Sequence, residues 1–280
     1  MRPPPLTQQL KKFVPIPVRR ALRYSQWAVL DLVDVARGVT VPPRRKRAFV
    51  ATGDFEAAGK EHLAYFIKYG KLRPDENVLD VGCGIGRMTL PLTGYLSAHG
   101  TYDGFDPNRE GIAWCTKHIT SRFPNFRFRV ADLHNEFYNP TGKFSPETFR
   151  FPYPDDSFDF VFLASVFTHL FPLAMKNYFR EINRVMKPSG RSFITYFLLN
   201  AESSSLIQAG KSTQDFVFAL DGCRTTDKTN PEAAIAFEEV EVRAMYGAAP
   251  LEIADIKYGH WCGRQTPYEG YQDVIIATKK

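Results

Sequence analysis

The chain has 280 residues, of which 44% are hydrophobic and 14% aromatic, and this is enough to bury a sizeable core. No apolar run approaches the roughly 18 residues that span a bilayer, and the first residues lack the apolar segment of a signal peptide, so we expect a cytoplasmic protein. The net charge is +6, and the four scattered cysteines form no C-x-x-C pair, which argues against a disulfide framework or a zinc site.

The positive charge is concentrated at the start of the chain. Residues 1–50 hold eleven Lys and Arg against Asp31 and Asp34, a net charge of +9, which leaves −3 for the remaining 230 residues. A basic arm on a slightly acidic body predicts that the arm contacts an anionic lipid surface or an acidic protein. The same distribution argues against nucleic acid as a partner of the body.

The first predicted helix runs from Val18 to Ala36, where apolar residues recur on one face with the helical period. Two interpretations stay open. The helix packs on its own domain, or it lies on a membrane surface together with the basic run Arg44–Arg47. The acidic residues Asp31 and Asp34 inside the helix weigh against the membrane interpretation.

Strands and helices are predicted to alternate after a second helix at about Phe55–Tyr69. Such alternation predicts an α/β domain over residues 51–280, with a parallel sheet covered by helices on both faces. The predicted strands are Asn77–Val81, Thr101–Phe105, Phe126–Val130, Phe158–Ala164 and Arg191–Phe197, and the predicted helices between them are Arg87–Leu96, Arg109–Arg122 and Met175–Met186.

The end of the chain departs from this alternation. Leu251–Tyr258 and Tyr271–Thr278 both have the composition of strands, and the segment between them, GHWCGRQTPYEG, shows no helical period. Parallel neighbours need a crossover of a dozen or more residues, usually a helix. The last two strands are therefore predicted to pair antiparallel.

Three glycines follow the first strand of the domain in the stretch NVLDVGCGIG, Asn77–Gly86. A strand that ends in glycines and leads into a helix lets a ligand approach the backbone. Dinucleotide-binding folds space these glycines as G-x-G-x-x-G, whereas position 87 here is Arg and the spacing is G-x-G-x-G. The spacing argues against a nicotinamide enzyme, and the carboxyl group of Asp80 suits a ligand with an ammonium group.

Two further acids stand where strands end. Asp106, in GFDPN, follows the second strand, where a carboxylate can accept from both hydroxyls of a ribose. Asp132, in VADL, follows the third strand and can accept from the exocyclic amine of an adenine. Each acid alone is as consistent with a turn or a helix cap. Together with the glycine loop, they predict one ligand site at one edge of the sheet.

The motifs VLDVGCGIG, GFDPN, ADL, FDFVFLASVFTHL and EINRVMKPSG resemble those of class I S-adenosylmethionine-dependent methyltransferases over about residues 50–280. The resemblance implies a Rossmann-like, doubly wound, seven-stranded sheet with an antiparallel last strand, and S-adenosylmethionine as the cofactor. The cofactor-binding residues that it implies are Asp80, Gly82, Gly84 and Gly86 at the methionine end, Asp106 at the ribose, Asp132 and the backbone of Leu133 at the adenine, and Ala164 at the end of strand four.

His169, in ASVFTHLFP after the fourth strand, is the predicted catalytic base. Methyl transfer to a hydroxyl needs a proton removed as the bond forms, and a histidine with an ordinary pKa of about 6.5 can accept it. The alternative is that His169 caps or packs the next helix. Metal-dependent catechol-type methyltransferases carry an acid at the end of strand four, but Ala164 and Ser165 stand here, so we expect no metal.

Two insertions are predicted to surround the acceptor. The first, about residues 134–154, is rich in aromatic residues, and the second, about residues 200–231, contains Asp221-Gly222 as the turn of a hairpin that would form a lid. Ordinary loop packing is the alternative for both. The predicted acceptor contacts are His134, Tyr138, Asn139, His260, Trp261 and Arg264.

The sequence therefore predicts a basic N-terminal arm, residues 1–50, and a methyltransferase domain, residues 51–280. The expected reaction is O-methylation of a small-molecule or glycan hydroxyl by metal-free, in-line displacement. Two alternatives stay open: a non-catalytic cofactor-binding scaffold docked through its arm, and an NAD-dependent enzyme, which the glycine spacing disfavours.

Overall fold

The computed structural model describes residues 16–38, 40–50, 54–135, 139–265 and 269–280. The chain divides into two compact units, Met1–Ala57 and Ala58–Lys280.

The first unit contains two helices, α1 (Ile16–Ala36) and α2 (Arg44–Val50). Asp31 accepts from the backbone N–H of Arg44 at 3.1 Å and thereby satisfies a donor at the start of α2. The guanidinium of Arg44 also lies 2.6 Å from a carboxylate oxygen of Asp34. These two acids therefore hold α2 against the polar side of α1. No helix within the described ranges is both long and apolar enough to cross a membrane.

The second unit is an α/β domain, and helix α3 (Phe55–Lys68) leads into it. It also contains a π-helical turn at Thr116–Thr120 and 3-10 turns at Phe167–His169 and Pro231–Ala233. The remaining elements are β1 (Asn77–Val81), α4 (Thr89–Leu92), β2 (Thr101–Asp106), α5 (Arg109–Cys115), β3 (Phe126–Val130), β4 (Phe158–Leu163), α6 (Pro172–Val185), β5 (Met186–Tyr196), β6 (Leu198–Leu199), α7 (Ala201–Gln208), β7 (Phe218–Leu220), β8 (Cys223–Thr225), β9 (Ile235–Glu238), α8 (Glu239–Ala248), β10 (Leu251–Lys257) and β11 (Asp273–Lys279).

The main sheet has seven strands in the order β10-β11-β5-β4-β1-β2-β3. The strands β5, β4, β1, β2 and β3 run parallel to one another. Strand β11 runs antiparallel to both of its neighbours, β5 and β10. The predicted doubly wound sheet with a reversed last strand is thus confirmed. The strand order reverses between β4 and β1, so their carboxyl ends flank the crevice where ligands bind in such sheets.

The core lies on both faces of this sheet because successive side chains of a buried strand point to opposite faces. Leu79 of β1 and Val161 of β4 belong to one apolar cluster, and their neighbours Val78 and Phe160 belong to the other. A third cluster, around Trp261, lies beside a second sheet of order β6-β9-β8-β7. Burial on both faces fixes the strand register and hence the position of every residue at the carboxyl edge.

The largest differences from the sequence prediction are in three elements, and the other element boundaries differ by at most three residues. The helix expected at Arg87–Leu96 is α only over Thr89–Leu92, because Pro91 cannot donate and is tolerated only in a first turn. The helix expected at Arg109–Arg122 becomes π-helical after Cys115. Strand β5 begins at Met186 rather than Arg191, since α6 ends at Val185.

Candidate active site

The glycine loop follows β1 at the crevice. Gly82, Gly84 and Gly86 have φ of 84°, 57° and 83°, in the left-handed region that favours glycine. A Cβ on Gly82 would come within 2.5 Å of Val166, whereas a Cβ on Gly84 would meet no atom within 4 Å. Gly82 is therefore required for packing, and Gly84 borders open space that a ligand can enter.

Asp80 lies at the end of β1, directly before this loop, and is 1% exposed. Tyr102 donates its hydroxyl proton to a carboxylate oxygen of Asp80 at 2.6 Å. Burial raises the pKa of Asp80 to about 8, and the hydrogen bond from Tyr102 offsets part of that rise. A cationic group that approached Asp80 would favour its charged form.

Asp106 ends β2 and faces the glycine loop. Its two carboxylate oxygens accept from the backbone N–H groups of Asn108 at 2.7 Å and Gly84 at 2.8 Å. A carboxylate has about four acceptor positions, so these two donors leave about two for a ligand. Burial raises the pKa of Asp106, and the two backbone hydrogen bonds offset part of the rise. The geometry suits a ligand with two adjacent hydroxyls.

Asp132 follows β3 and is held from two sides. Arg109 donates to its Oδ1 at 3.0 Å, and the Asn139 amide donates to the same oxygen at 3.3 Å. The Asn139 amide also donates to the carbonyl of Leu133 at 2.9 Å, and Asn139 is 8% exposed. Asn139 therefore shapes the Asp132–Leu133 loop, and its predicted contact with the acceptor stays a prediction.

His169 lies in the 3-10 turn between β4 and α6. Its Nδ1 is 2.7 Å from the carbonyl oxygen of Glu232, and because a carbonyl oxygen only accepts, Nδ1 must carry the proton. The lone pair of the neutral ring is then on Nε2. Burial lowers the pKa of His169, and the hydrogen bond to Glu232 offsets part of that change. The ring is held as a neutral base.

Glu232, directly after the second predicted insertion, contacts both the first insertion and His169. Its carboxylate accepts from the Asn135 side-chain amide at 3.0 Å, while its carbonyl accepts from His169. Asn135 lies 97 positions and His169 lies 63 positions before Glu232 in the chain. Neither Asn135 nor Glu232 was identified from the sequence, since no local pattern brings such distant positions together.

The turn after β10 has a structural role that differs from the predicted acceptor contact. Trp261 is fully buried and donates its indole N–H to Asp273 at 2.7 Å. Arg264 is 6% exposed and contacts Glu202 at 2.9 Å and Asp273 at 3.4 Å. His260 packs its ring against Tyr271. Both Trp261 and Arg264 are therefore part of the core.

The remaining predicted residues fall at or beside the crevice. His134 is exposed in the loop after β3, and Ala164 is half-buried just past the end of β4. Tyr138 lies outside the described residues. The structure adds Ser165, whose φ of 61° is strained for a residue other than glycine. Its backbone N–H donates to Thr195 at 2.7 Å, which holds the backbone in place after β4.

Comparison with known proteins finds a family whose model matches part of the chain. Residues 79–194 match the family described as methyltransferase domain. The chain is 26% identical over 136 residues to sterol 24-C-methyltransferase ERG6B of Gibberella zeae, which covers 49% of this chain and 31% of that protein. It is 27% identical over 159 residues to phosphoethanolamine N-methyltransferase 3 of Arabidopsis thaliana, which covers 56% of this chain and 27% of that protein.

A solved structure shares the fold. The 1,6-didemethyltoxoflavin-N1-methyltransferase of Burkholderia thailandensis, bound to 1,6-didemethyltoxoflavin and S-adenosylhomocysteine, matches with a TM-score of 0.51 at 17% identity. The match covers 92% of this chain and 89% of that one. The match to each of the two curated relatives spans less than a third of that relative's length. The family match, residues 79–194, includes the glycine loop.

Proposed function

We propose that this chain is a class I S-adenosylmethionine-dependent methyltransferase and that it methylates a hydroxyl of a small-molecule or glycan acceptor with His169 as the general base. The observation that carries the proposal is the hydrogen bond of His169 Nδ1 to the Glu232 carbonyl. That bond fixes the tautomer that presents a basic Nε2.

The described residues fit the family's cofactor, S-adenosylmethionine. Asp106 has about two acceptor positions left for the two hydroxyls of the ribose, and the open space at Gly84 gives room beside the loop. Asp80 supplies a carboxyl group for the cationic methionine end. The cofactor contributes an electrophilic methyl group on a sulfonium. The contribution of this chain is to hold that group in line with the acceptor, an alignment that can lower a barrier by roughly 7 to 11 kcal/mol.

His169 supports an oxygen acceptor because a hydroxyl is a weak nucleophile while it keeps its proton. Burial lowers the pKa of His169, so the ring is neutral at neutral pH and can take the proton on Nε2. The named relatives act on a sterol carbon and on the nitrogen of phosphoethanolamine, so the kind of acceptor atom varies among similar proteins. The proposal of an oxygen acceptor for this chain therefore rests on His169 as the general base.

The test is methyl transfer from labelled S-adenosylmethionine to a panel of monosaccharides, phenols, sterols and primary amines. We expect transfer to a hydroxyl, and His169→Gln should lower kcat about 10²- to 10⁴-fold while the affinity for S-adenosylhomocysteine is kept. The wild-type rate should rise with pH as His169 loses its proton, with a midpoint below the ordinary histidine pKa because burial lowers the pKa of His169. The variant should lack that rise.

His99→Gln is the matched control, since His99 is exposed in the turn before β2 at the opposite edge of the sheet. It should leave kcat and its pH profile unchanged. Transfer to amines alone would contradict the oxygen acceptor. A His169→Gln enzyme with the wild-type rate and pH profile would contradict the base and leave the methyltransferase assignment intact.

A further inference from the structure

Helix α1 presents a broad apolar side to solvent. Leu22, Val29, Leu32 and Val35 are 62%, 61%, 70% and 72% exposed. At 100° per residue, these positions fall on one side of the helix, with the small residues Ala21, Ala28 and Ala36 between them. A contiguous exposed apolar surface of this kind marks an interaction site rather than ordinary surface composition.

The acids of α1 lie on its other side and are neutralised there. Arg44 of α2 lies 2.9 Å from Asp31 and 2.6 Å from Asp34, and Arg47 lies 3.4 Å from Asp34. The carboxylates thus face α2 and point away from the apolar side. The objection that two acids disfavour a membrane-bound helix is removed, since both are paired with guanidinium groups outside the apolar surface.

Cationic side chains flank the apolar side. Arg37, which follows the last residue of α1, and Arg45 of α2 are both exposed. The guanidinium of Arg45 lies 5.1 Å from the ring centre of Tyr24, which holds α2 and α1 together without consuming the charge. Basic residues beside an apolar helix face are the pattern of helices that lie in the interface of an anionic membrane.

We propose that the unit Met1–Ala57 docks on an anionic phospholipid surface through the apolar side of α1. The helix has 21 residues, about 31 Å at 1.5 Å per residue, and it lies in the plane of the interface because its charged residues forbid a transmembrane position. Leu22, Val29, Leu32 and Val35 enter the acyl boundary, while Arg37 and Arg45 contact lipid phosphates. This docking does not depend on the acceptor that the domain methylates.

The test is flotation of the full chain with vesicles of phosphatidylcholine alone and of phosphatidylcholine mixed with phosphatidylglycerol. We expect binding to the mixed vesicles to be at least about tenfold tighter, and to weaken as salt is added, because screened charges contribute less. Arg37→Gln with Arg45→Gln should lower binding to the mixed vesicles by about tenfold.

Val29→Glu and Val240→Glu form a matched pair, since the two valines are 61% and 69% exposed and the substitution changes the net charge equally. Val29→Glu should weaken vesicle binding at least about tenfold, and Val240→Glu, on α8, should change it less than about twofold. The thermal unfolding temperature should be unchanged in both variants.

Three results would overturn the proposal. Failure of the wild-type chain to float with either vesicle would assign the surface to an acidic protein or another occupant. Equal binding to neutral and anionic vesicles would contradict recognition of anionic lipid. A lowered unfolding temperature for Val29→Glu alone, without vesicle binding by the wild type, would show that α1 packs on the rest of the chain.

Discussion

Asp106 and Asp273 are both buried carboxylates in the α/β domain, but they have different numbers of hydrogen-bond donors. Asp106 accepts from two backbone N–H groups, and both come from residues at the crevice. Asp273 accepts from four groups: the backbone N–H groups of Leu198 and Gly259, the indole of Trp261 and the guanidinium of Arg264. Asp106 is 9% exposed, whereas Asp273 is fully buried.

The difference separates a ligand site from a structural centre. A carboxylate offers about four acceptor positions, so the four donors around Asp273 saturate it, while Asp106 retains about half of its capacity. Burial raises the pKa of both groups, so a shifted pKa does not tell the two roles apart. The number of hydrogen-bond donors and the open space beside Gly84 distinguish the ligand site at Asp106 from the structural role of Asp273.

The largest expected effect is on stability. Asp273→Ala removes an acceptor for four donors and leaves Arg264 buried with fewer partners, which should cost about 3–5 kcal/mol of unfolding free energy. Urea unfolding followed by circular dichroism measures the loss. Because the Ala variant could fail to fold, Asp273→Asn is the milder test, with a smaller loss and unchanged affinity for S-adenosylhomocysteine. A loss below about 1 kcal/mol in both variants would mean that Asp273 is not a structural centre.

The next effect is on ligand affinity. Asp106→Ala should weaken binding of S-adenosylhomocysteine about 10- to 100-fold, because two hydrogen bonds to the ribose are lost. Titration calorimetry measures the dissociation constant of S-adenosylhomocysteine for the variant and the wild type. Asp159→Ala is the control, since Asp159 accepts from the backbone N–H of Asn77 at 2.9 Å at the opposite end of the strands. It should change the affinity less than about twofold, and an equal loss in both variants would contradict the assignment of Asp106 to the ribose.

The same contrast explains what could be predicted from the sequence. Asp106 could be identified because its position follows from local rules: a short strand, a turn, and a glycine loop on the neighbouring parallel strand. The partners of Asp273 come from four positions between 198 and 264, and no local pattern joins them. Trp261 and Arg264 were therefore assigned to the acceptor by their chemistry, although the fold uses them in the core.

The acceptor side shows the same limit. The position of His169 after β4 predicts its role. Its orientation depends on a hydrogen bond to Glu232, which directly follows the second insertion in the chain. The pairing of Asp31 and Asp34 with α2 was likewise outside what helical periodicity predicts, since periodicity describes one helix and not its neighbour. Patterns along the chain thus predicted the sheet and the glycine-loop edge, and long-range contacts determined the remainder.

The smallest expected effect comes from a third buried carboxylate, Asp80, and it distinguishes the acids by pH. Burial raises the pKa of Asp80 to about 8 and that of Asp273 to about 6. A carboxyl whose pKa is higher in the folded chain than the ordinary value of about 3.9 holds its proton more tightly when folded, so stability falls as pH rises through that range. Because the pKa of Asp80 lies near 8, its titration should decrease the free energy of unfolding of the wild type by about 1 kcal/mol per pH unit between about pH 7 and 8. Asp80→Asn keeps an acceptor for Tyr102 but cannot ionise, so its urea unfolding should change much less over that interval, while Asp159→Asn should follow the wild type. Parallel pH profiles for Asp80→Asn and the wild type would mean that Asp80 is already charged below pH 7, and would contradict a pKa raised by burial.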